Sequence, residues 1–245
     1  MLGSAVVYSG IVVLVAGVIC SIRPIPRLGV PTRARAAIVA AAGVCIALAG
    51  LALTASDAHI ARKETRLDDF MPGWQFNEHH ELAIAAPPER VFDAIRRVRA
   101  DEISLFRLLT WIRRGGRSLS PGILNAGVDK PLLDVATATS FVWLADDPPR
   151  ELVVGTVIAA PPGTRGRLTP EVFTKTLPPG FVLATMNFVV APDGRGGSNV
   201  MTETRVFANS SRVKRAFAAY WRLIYPGSAI IRRMWLRAIE RRATA

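Results

Sequence analysis

The chain has 245 residues, half of them hydrophobic, and a formal charge of +12 from 31 basic and 19 acidic side chains. That length accommodates one domain of ordinary size plus a short extra segment, with room for a real hydrophobic core. The only two cysteines, Cys20 and Cys45, lie inside apolar N-terminal stretches, which excludes a cysteine metal site, a cysteine nucleophile or a disulfide framework from the remainder.

Residues Met1 to Ile22 contain no charged side chain and match the roughly 20 helical residues that cross a bilayer core. Residues Ala36 to Ala55 repeat the pattern, so the first segment, 1–55, is predicted to be a transmembrane helical hairpin with helices at about 1–22 and 36–55. A cleaved signal peptide is the competing reading of the first run. It normally begins with a positive n-region, which Met1-Leu2-Gly3-Ser4 lacks. The connection 23–35 holds Arg23, Arg27, Arg33 and Arg35 among three prolines, and the positive-inside rule places this loop in the cytoplasm of a bacterial inner membrane protein. Arg62, Lys63 and Arg66 follow the second helix closely and oppose that bias, so the side occupied by the rest of the chain stays open.

Residues 56–73 are polar and mixed in charge and read as a juxtamembrane linker; a domain is expected over 74–245. Gln75 to Ala85 alternates as a strand, with Phe76, Glu78, His80, Leu82 and Ile84 on one face. Ala86 to Ile95 opens a helix, because Pro87 and Pro88 suit a first turn and Glu89 complements the helix dipole. A second helix is expected from Asp101 to about Arg113, closing at Gly115-Gly116. Its Asp101 and Glu102 at one end, with Arg107, Arg113 and Arg114 toward the other, complement the dipole or else flank a cavity mouth. Strands are expected over Val135–Leu144 and Glu151–Ala159, with a turn at 146–149, followed by a long loop over 161–180 of the kind that covers entrances.

Phe181–Ala191 and Asn199–Ala208 form the clearest strand pair, joined by Pro192-Asp193-Gly194-Arg195-Gly196-Gly197-Ser198. This glycine-rich piece is no phosphate loop, since it lacks the Lys-Ser/Thr and precedes a strand. A long helix is expected from Ser211 to Arg242, kinked or broken at Pro226-Gly227. From Ser211 onward nine basic residues face one acid, a balance suited to anionic lipid head groups, to nucleic acid or simply to a solvated helix face. Arg222, Arg232, Arg233 and Arg237 are the candidates for a membrane-surface contact.

The segment Ala86 to Ile95, with its Pro-Pro-Glu-Arg-Val-Phe run, the run Met201-Thr202-Glu203-Thr204-Arg205-Val206 and the stretch from Tyr220 to Arg237 resemble the START-like superfamily, also called SRPBCC or helix-grip. The similarity covers about Trp74 to Arg242 and is nearest to uncharacterised bacterial members grouped with polyketide cyclase/dehydrase and lipid-transport proteins. It implies an α+β helix-grip fold, a curved antiparallel sheet around the C-terminal helix with a mostly apolar cavity between them. Glu78, His80, Phe106, Trp143, Met186, Phe188, Thr204 and Trp221 are the candidates to line that cavity. Trp111, Trp143, Trp221 and Trp235 are read first as core residues.

Little in the sequence points to chemistry. Of three histidines, His59, His79 and His80, the last two point to opposite faces of a strand and cannot share a metal ion. His80-Glu81-Leu82-Ala83-Ile84 fails the HExxH pattern, and no G-x-S-x-G elbow is present. No metal, cofactor or catalytic residue is assigned. Glu78 and His80 share a face, either as an acid/base pair in a cavity or at a solvated strand end. The expected partners are a lipid bilayer and a hydrophobic small molecule or lipid; nucleic acid is not expected, since no recognised nucleic-acid module accompanies the charge. The leading reading is a membrane-anchored binding module. The alternatives are a cyclase or hydratase that uses Glu78, His80, Glu203 or Arg205, and a non-catalytic partner-binding protein.

Overall fold

The computed structural model describes residues 2–118, 122–164 and 166–245. Met1 of the first predicted helix, residues 119–121 of the Pro/Gly-containing stretch and residue 165 of the long loop lie outside the described residues. The chain divides into two compact units, one of residues 1–56 with 215–223, the other of residues 57–214 with 224–245.

In the first unit, helix α1 (Leu2–Ile22) packs against helix α2 (Arg33–Ala52). A short turn at Pro26–Leu28 joins them, and the Thr32 hydroxyl caps α2 by accepting from Arg35 N. Small residues recur every seventh position on both helices, Gly3, Gly10 and Gly17 on one and Ala36, Gly43 and Gly50 on the other. A Cβ at Gly10 would collide with the Ala47 backbone, one at Gly17 with Ala40, one at Gly43 with Leu14 and one at Gly50 with Val7. The partners descend along α2 as they ascend along α1, so the helices run antiparallel, with backbones as close as missing side chains permit. Both helices are long and apolar enough to cross a membrane, with mean hydropathies of 2.5 and 2.0, and only 22% and 17% of those stretches is buried.

The same unit takes in residues 215–223 of the C-terminal helix α7 (Ser211–Thr244). Pro226 lies inside α7, and the helix continues through it where the sequence predicts a kink or break. Proline has no N–H, so the Arg222 carbonyl loses its usual donor four residues on. The Tyr8 hydroxyl donates to that carbonyl instead. The Arg222 side chain passes over Gly3 and donates through Nη1 to Leu51 O at 2.7 Å and through Nη2 to Leu53 O at 2.5 Å, closing the carboxyl end of α2.

The second unit is built on an antiparallel sheet of β3 (Phe76–Ile84), β4 (Phe141–Asp147), β5 (Glu151–Ala159), β6 (Val182–Pro192) and β7 (Ser198–Ala208), in the order β3-β7-β6-β5-β4. Before it come β1 (Ala58–His59), helix α3 (Leu67–Phe70) and β2 (Gly73–Trp74), with β1 and β2 paired. The stretch expected to be a polar linker is therefore structured, and Met71 of it packs with Phe173 and Leu183 on one face of the sheet. Helices α4 (Pro88–Arg97), α5 (Phe106–Arg113) and α6 (Leu132–Thr137) join the carboxyl half of α7 on the other. There Val91, Ile95, Leu132, Leu152, Phe188 and Ile239 are each 0% exposed or nearly so, each worth about 1.5–3 kcal/mol of burial. Covered on both faces, β6 is buried continuously from Val182 to Phe188 instead of in alternation.

Two predicted elements differ. Helix α5 starts at Phe106 and not at Asp101, because Leu105 takes a left-handed φ of 61° and the Glu102 carboxylate accepts from Arg99 N, holding the preceding residues in turns. Val135 begins no strand: Leu132, Leu133 and Ala136 are buried at helical spacing in α6, and strand structure starts only at Phe141. Tertiary burial overrides the β-branched propensity of this stretch.

Candidate functional site

The alternation of β3 and β7 decides which polar side chains meet. Glu78 is paired in register with Thr204 and His80 with Thr202, so these four share the sheet face that bears α7. His80 Nε2–H donates to Glu78 Oε1 at 2.8 Å, and the two side chains are 9% and 1% exposed, so this end of the strand is not solvated. Ser228, on α7, donates to the other Glu78 oxygen at 2.7 Å. One turn further on, Arg232 donates through Nη2 to Thr204 Oγ1 at 2.9 Å. Burial pulls the Arg232 guanidinium down to about 10; the Glu78 charge opposes that and the like charge of Arg113 adds to it. Tyr225 is raised by burial, then by the charge of Glu78, with Arg233 opposing.

Two donors in this cluster are unpartnered. Arg232 Nη1 and the indole Nε1 of Trp235 are buried and lack any hydrogen-bond partner among the described residues. The Arg232 guanidinium lies 5.4 Å from the Trp235 ring centroid, and Trp235 meets Phe188 edge-on at 5.1 Å. Trp235 belongs to an apolar core that also buries Met186 and Phe188 of β6, Phe106 of α5, and Leu236 and Ile239 of α7, with Leu82 and Trp143 packed against it. A groove of about 550 Å³ runs between edge strand β3 and α7, lined by His79, His80, Leu82, Arg233, Leu236 and Arg237 among others. His80 thus belongs both to the groove and to the buried cluster.

Of the residues expected to line a cavity, Glu78, His80 and Thr204 belong to this polar cluster, and Phe106, Trp143, Met186 and Phe188 belong to or pack against the apolar core that holds Trp235. Trp221 does neither; it belongs to the first unit, where it stacks near Phe217 at 5.9 Å. Of the basic candidates, Arg232 turns inward and Arg222 is 4% exposed at the end of α2, while Arg233 and Arg237 border the groove. Trp111 is 52% exposed on α5 instead of in a core. Glu102 binds Arg242 of α7 at 2.9 Å and precedes α5, so it does not cap that helix.

Glu203 and Arg205 point to the opposite sheet face. Arg205 donates to both Glu203 oxygens at 2.9 and 3.0 Å, to Asp68 at 2.6 Å and to Met71 O at 3.1 Å, and it stacks on Trp74 at 4.1 Å. Burial alone would raise the Asp68 carboxyl; the backbone N–H groups of Glu64 and Thr65, with Arg205, outweigh it and hold it below the usual range. Beside it Glu151, 5% exposed, accepts from Arg66 N, Leu67 N and Asn187 Nδ2, yet burial leaves its carboxyl raised. Every limb of this cluster is satisfied, as in a structural clamp that fixes residues 64–74 to the sheet.

The α7 cluster can bind and orient more readily than it can attack. Glu78 stands between His80 and Ser228 and accepts from both, so the imidazole does not touch the hydroxyl and no nucleophilic triad is formed. Among the described residues no group of three metal-ligating side chains occurs. Ser228 is not among the residues expected from the sequence, and Arg232 and Trp235 are expected there as a membrane-surface and a core residue, because a periodic stripe on an amphipathic helix gives no sign of which polar position turns inward.

No family model matches the chain, and no curated protein matches it in sequence. Among solved structures it is similar to protein MLL2253 from Mesorhizobium loti, at 13% identity over 68% of this chain and 98% of that one, with a TM-score of 0.31. It is also similar to TTHA0849 from Thermus thermophilus (14% identity, 69% and 97% covered, TM-score 0.28) and to CalU16 from Micromonospora echinospora (12%, 69% and 83%, TM-score 0.24).

Proposed function

We propose that the chain is a membrane-anchored START-like protein that holds a lipid or other hydrophobic small molecule between its sheet and α7. The observation that carries this reading is the pair of unpartnered buried donors, Arg232 Nη1 and Trp235 Nε1, at the border between the polar cluster of Glu78, His80, Ser228 and Thr204 and the apolar core of Met186, Phe188 and Leu236. Leaving a buried donor unsatisfied costs about 1–3 kcal/mol, and an apolar site with a few convergent polar groups is the usual form of a small-molecule pocket. The groove bordered by His80 supplies a route from solvent, and its volume of about 550 Å³ lies within the range of such sites.

The anchor is supported by α1 and α2, each some 30 Å long at 1.5 Å per residue and open over most of its apolar surface. Loop 23–35, with its four arginines, then lies on the cytoplasmic side of a bacterial inner membrane. The full chain, purified in mild detergent and analysed by native mass spectrometry with organic extraction, is expected to carry a reproducible lipid or polyketide-like mass. A chain that is empty, and stays empty when offered a lipid panel, would sink the binding reading in favour of a partner-binding module.

A cyclase or hydratase activity is favoured by one observation: His80 lines the groove while Glu78 fixes its ring. Chemical alteration of the extracted ligand by wild-type protein and not by H80A would establish it; recovery of the ligand unchanged with both would dismiss it.

A further inference from the structure

We propose that the ligand held by this site is an amphiphile with a carboxylate at its buried end, received by Arg232 Nη1 and Trp235 Nε1. The inference rests on the binding reading above and adds the chemical class of the head group. Arg232 spends one amino group on Thr204 at 2.9 Å and leaves the other without solvent or partner. Among the described residues no carboxylate lies within ion-pair distance of it. Glu78, whose field reaches Arg232, is already engaged by His80 at 2.8 Å and Ser228 at 2.7 Å, and Arg113 adds a second positive charge. The buried Arg232 guanidinium thus keeps a free amino group and has no carboxylate in contact with it among the described residues, a place that an incoming anion fills.

Geometry narrows the anion. Trp235 is 2% exposed, follows Arg232 by three residues on the same helix face, and offers a second free N–H beside it. Two adjacent donors, one charged, match a group with two coplanar acceptor oxygens. Leu82, Met234 and Leu236, which line the groove between β3 and α7, offer the rest of the molecule apolar contact. An alcohol or ester of the same chain length fills the same space but leaves the charge of Arg232 without its complement.

The test uses the full chain in nanodiscs of zwitterionic phosphatidylcholine. Radiolabelled decanoate and decan-1-ol are equilibrated across a dialysis membrane against protein-free discs, which corrects for partition into lipid. Wild-type protein is expected to hold decanoate at least about tenfold more tightly than decanol, the loss typical of an unmet buried charge. R232Q should bring that ratio close to one while decanol binding persists. Should R232Q fail to fold, W235F, which keeps an aromatic ring and loses the N–H, should lower the ratio severalfold. Equal binding of the two probes by wild-type protein, or an undiminished ratio in W235F, overturns the carboxylate proposal and leaves the cavity reading standing. Binding of neither probe overturns both.

Discussion

Arg205 donates through all three of its nitrogens, to Glu203, to Asp68 and to the Met71 carbonyl, whereas Arg232 places Nη2 on Thr204 and leaves Nη1 without a partner among the described residues. The saturated arginine is structural by that measure. Arg205→Met is expected to lower stability by about 3–5 kcal/mol, because Asp68 and Glu203 lose the cation that compensates their burial; the shift in the denaturation midpoint of the full chain checks it. The carboxyl of Asp68 is depressed in the folded chain relative to its unfolded value near 3.9, so its contribution is present above about pH 4 and is lost as pH falls through the depressed value. Glu151 works the other way: with its carboxyl raised, the folded chain is stabilised by the proton and loses that advantage as pH rises above the ordinary value. Unfolding measured between pH 3 and pH 7 is therefore expected to show a shallower acid-side decline in D68N than in wild type. An unchanged slope would mean that the Asp68 contacts contribute nothing to acid stability.

At the scale of elements, the continuity of α7 through Pro226 rests on a hydroxyl from α1. Tyr8→Phe leaves the Arg222 carbonyl without a donor, at an expected cost of about 1 kcal/mol. Pro226→Ala restores the missing N–H, so Y8F is expected to cost less in the P226A background; equal costs in both backgrounds would show that the hydroxyl does not substitute for the lost helix bond. The small-residue repeat makes a sharper demand. Gly43→Ala places a Cβ against the Leu14 backbone and forces the helices apart, at an expected cost of about 1–3 kcal/mol, whereas Val12→Ala on the exposed side of α1 should leave the melting temperature in detergent unchanged. Most of these elements were legible beforehand: the two apolar helices, β3, β5, β6, β7 and α7 follow from hydrophobic period and turn residues. The late start of α5 and the helical turn at Leu132 were not, because a left-handed Leu105 and the burial of Leu132 and Leu133 are set by distant neighbours and leave no local periodic signal.

For the molecule as a whole, strand alternation put Glu78 and His80 on one face of β3 without deciding between cavity and solvent, and the family resemblance added Met186, Phe188 and Thr204 as companions. Neither could separate Glu203 and Arg205 from them by role, nor tell that Arg232 leaves the basic stripe to face the sheet, since both depend on which segment covers which face. The proposed anchor has its own test: the full chain should stay with the membrane fraction through an alkaline carbonate wash, and its release would remove α1 and α2 from the bilayer. Segment 215–223 follows the whole sheet in the chain, yet it supplies the Arg222 that closes α2 and the carbonyl that engages Tyr8. During synthesis α1 and α2 are made before the sheet and their third partner only after it. That unit is thus completed only once β7 has been made, and a chain cut short before Arg215 would expose two finished helices that lack the residues meant to close them.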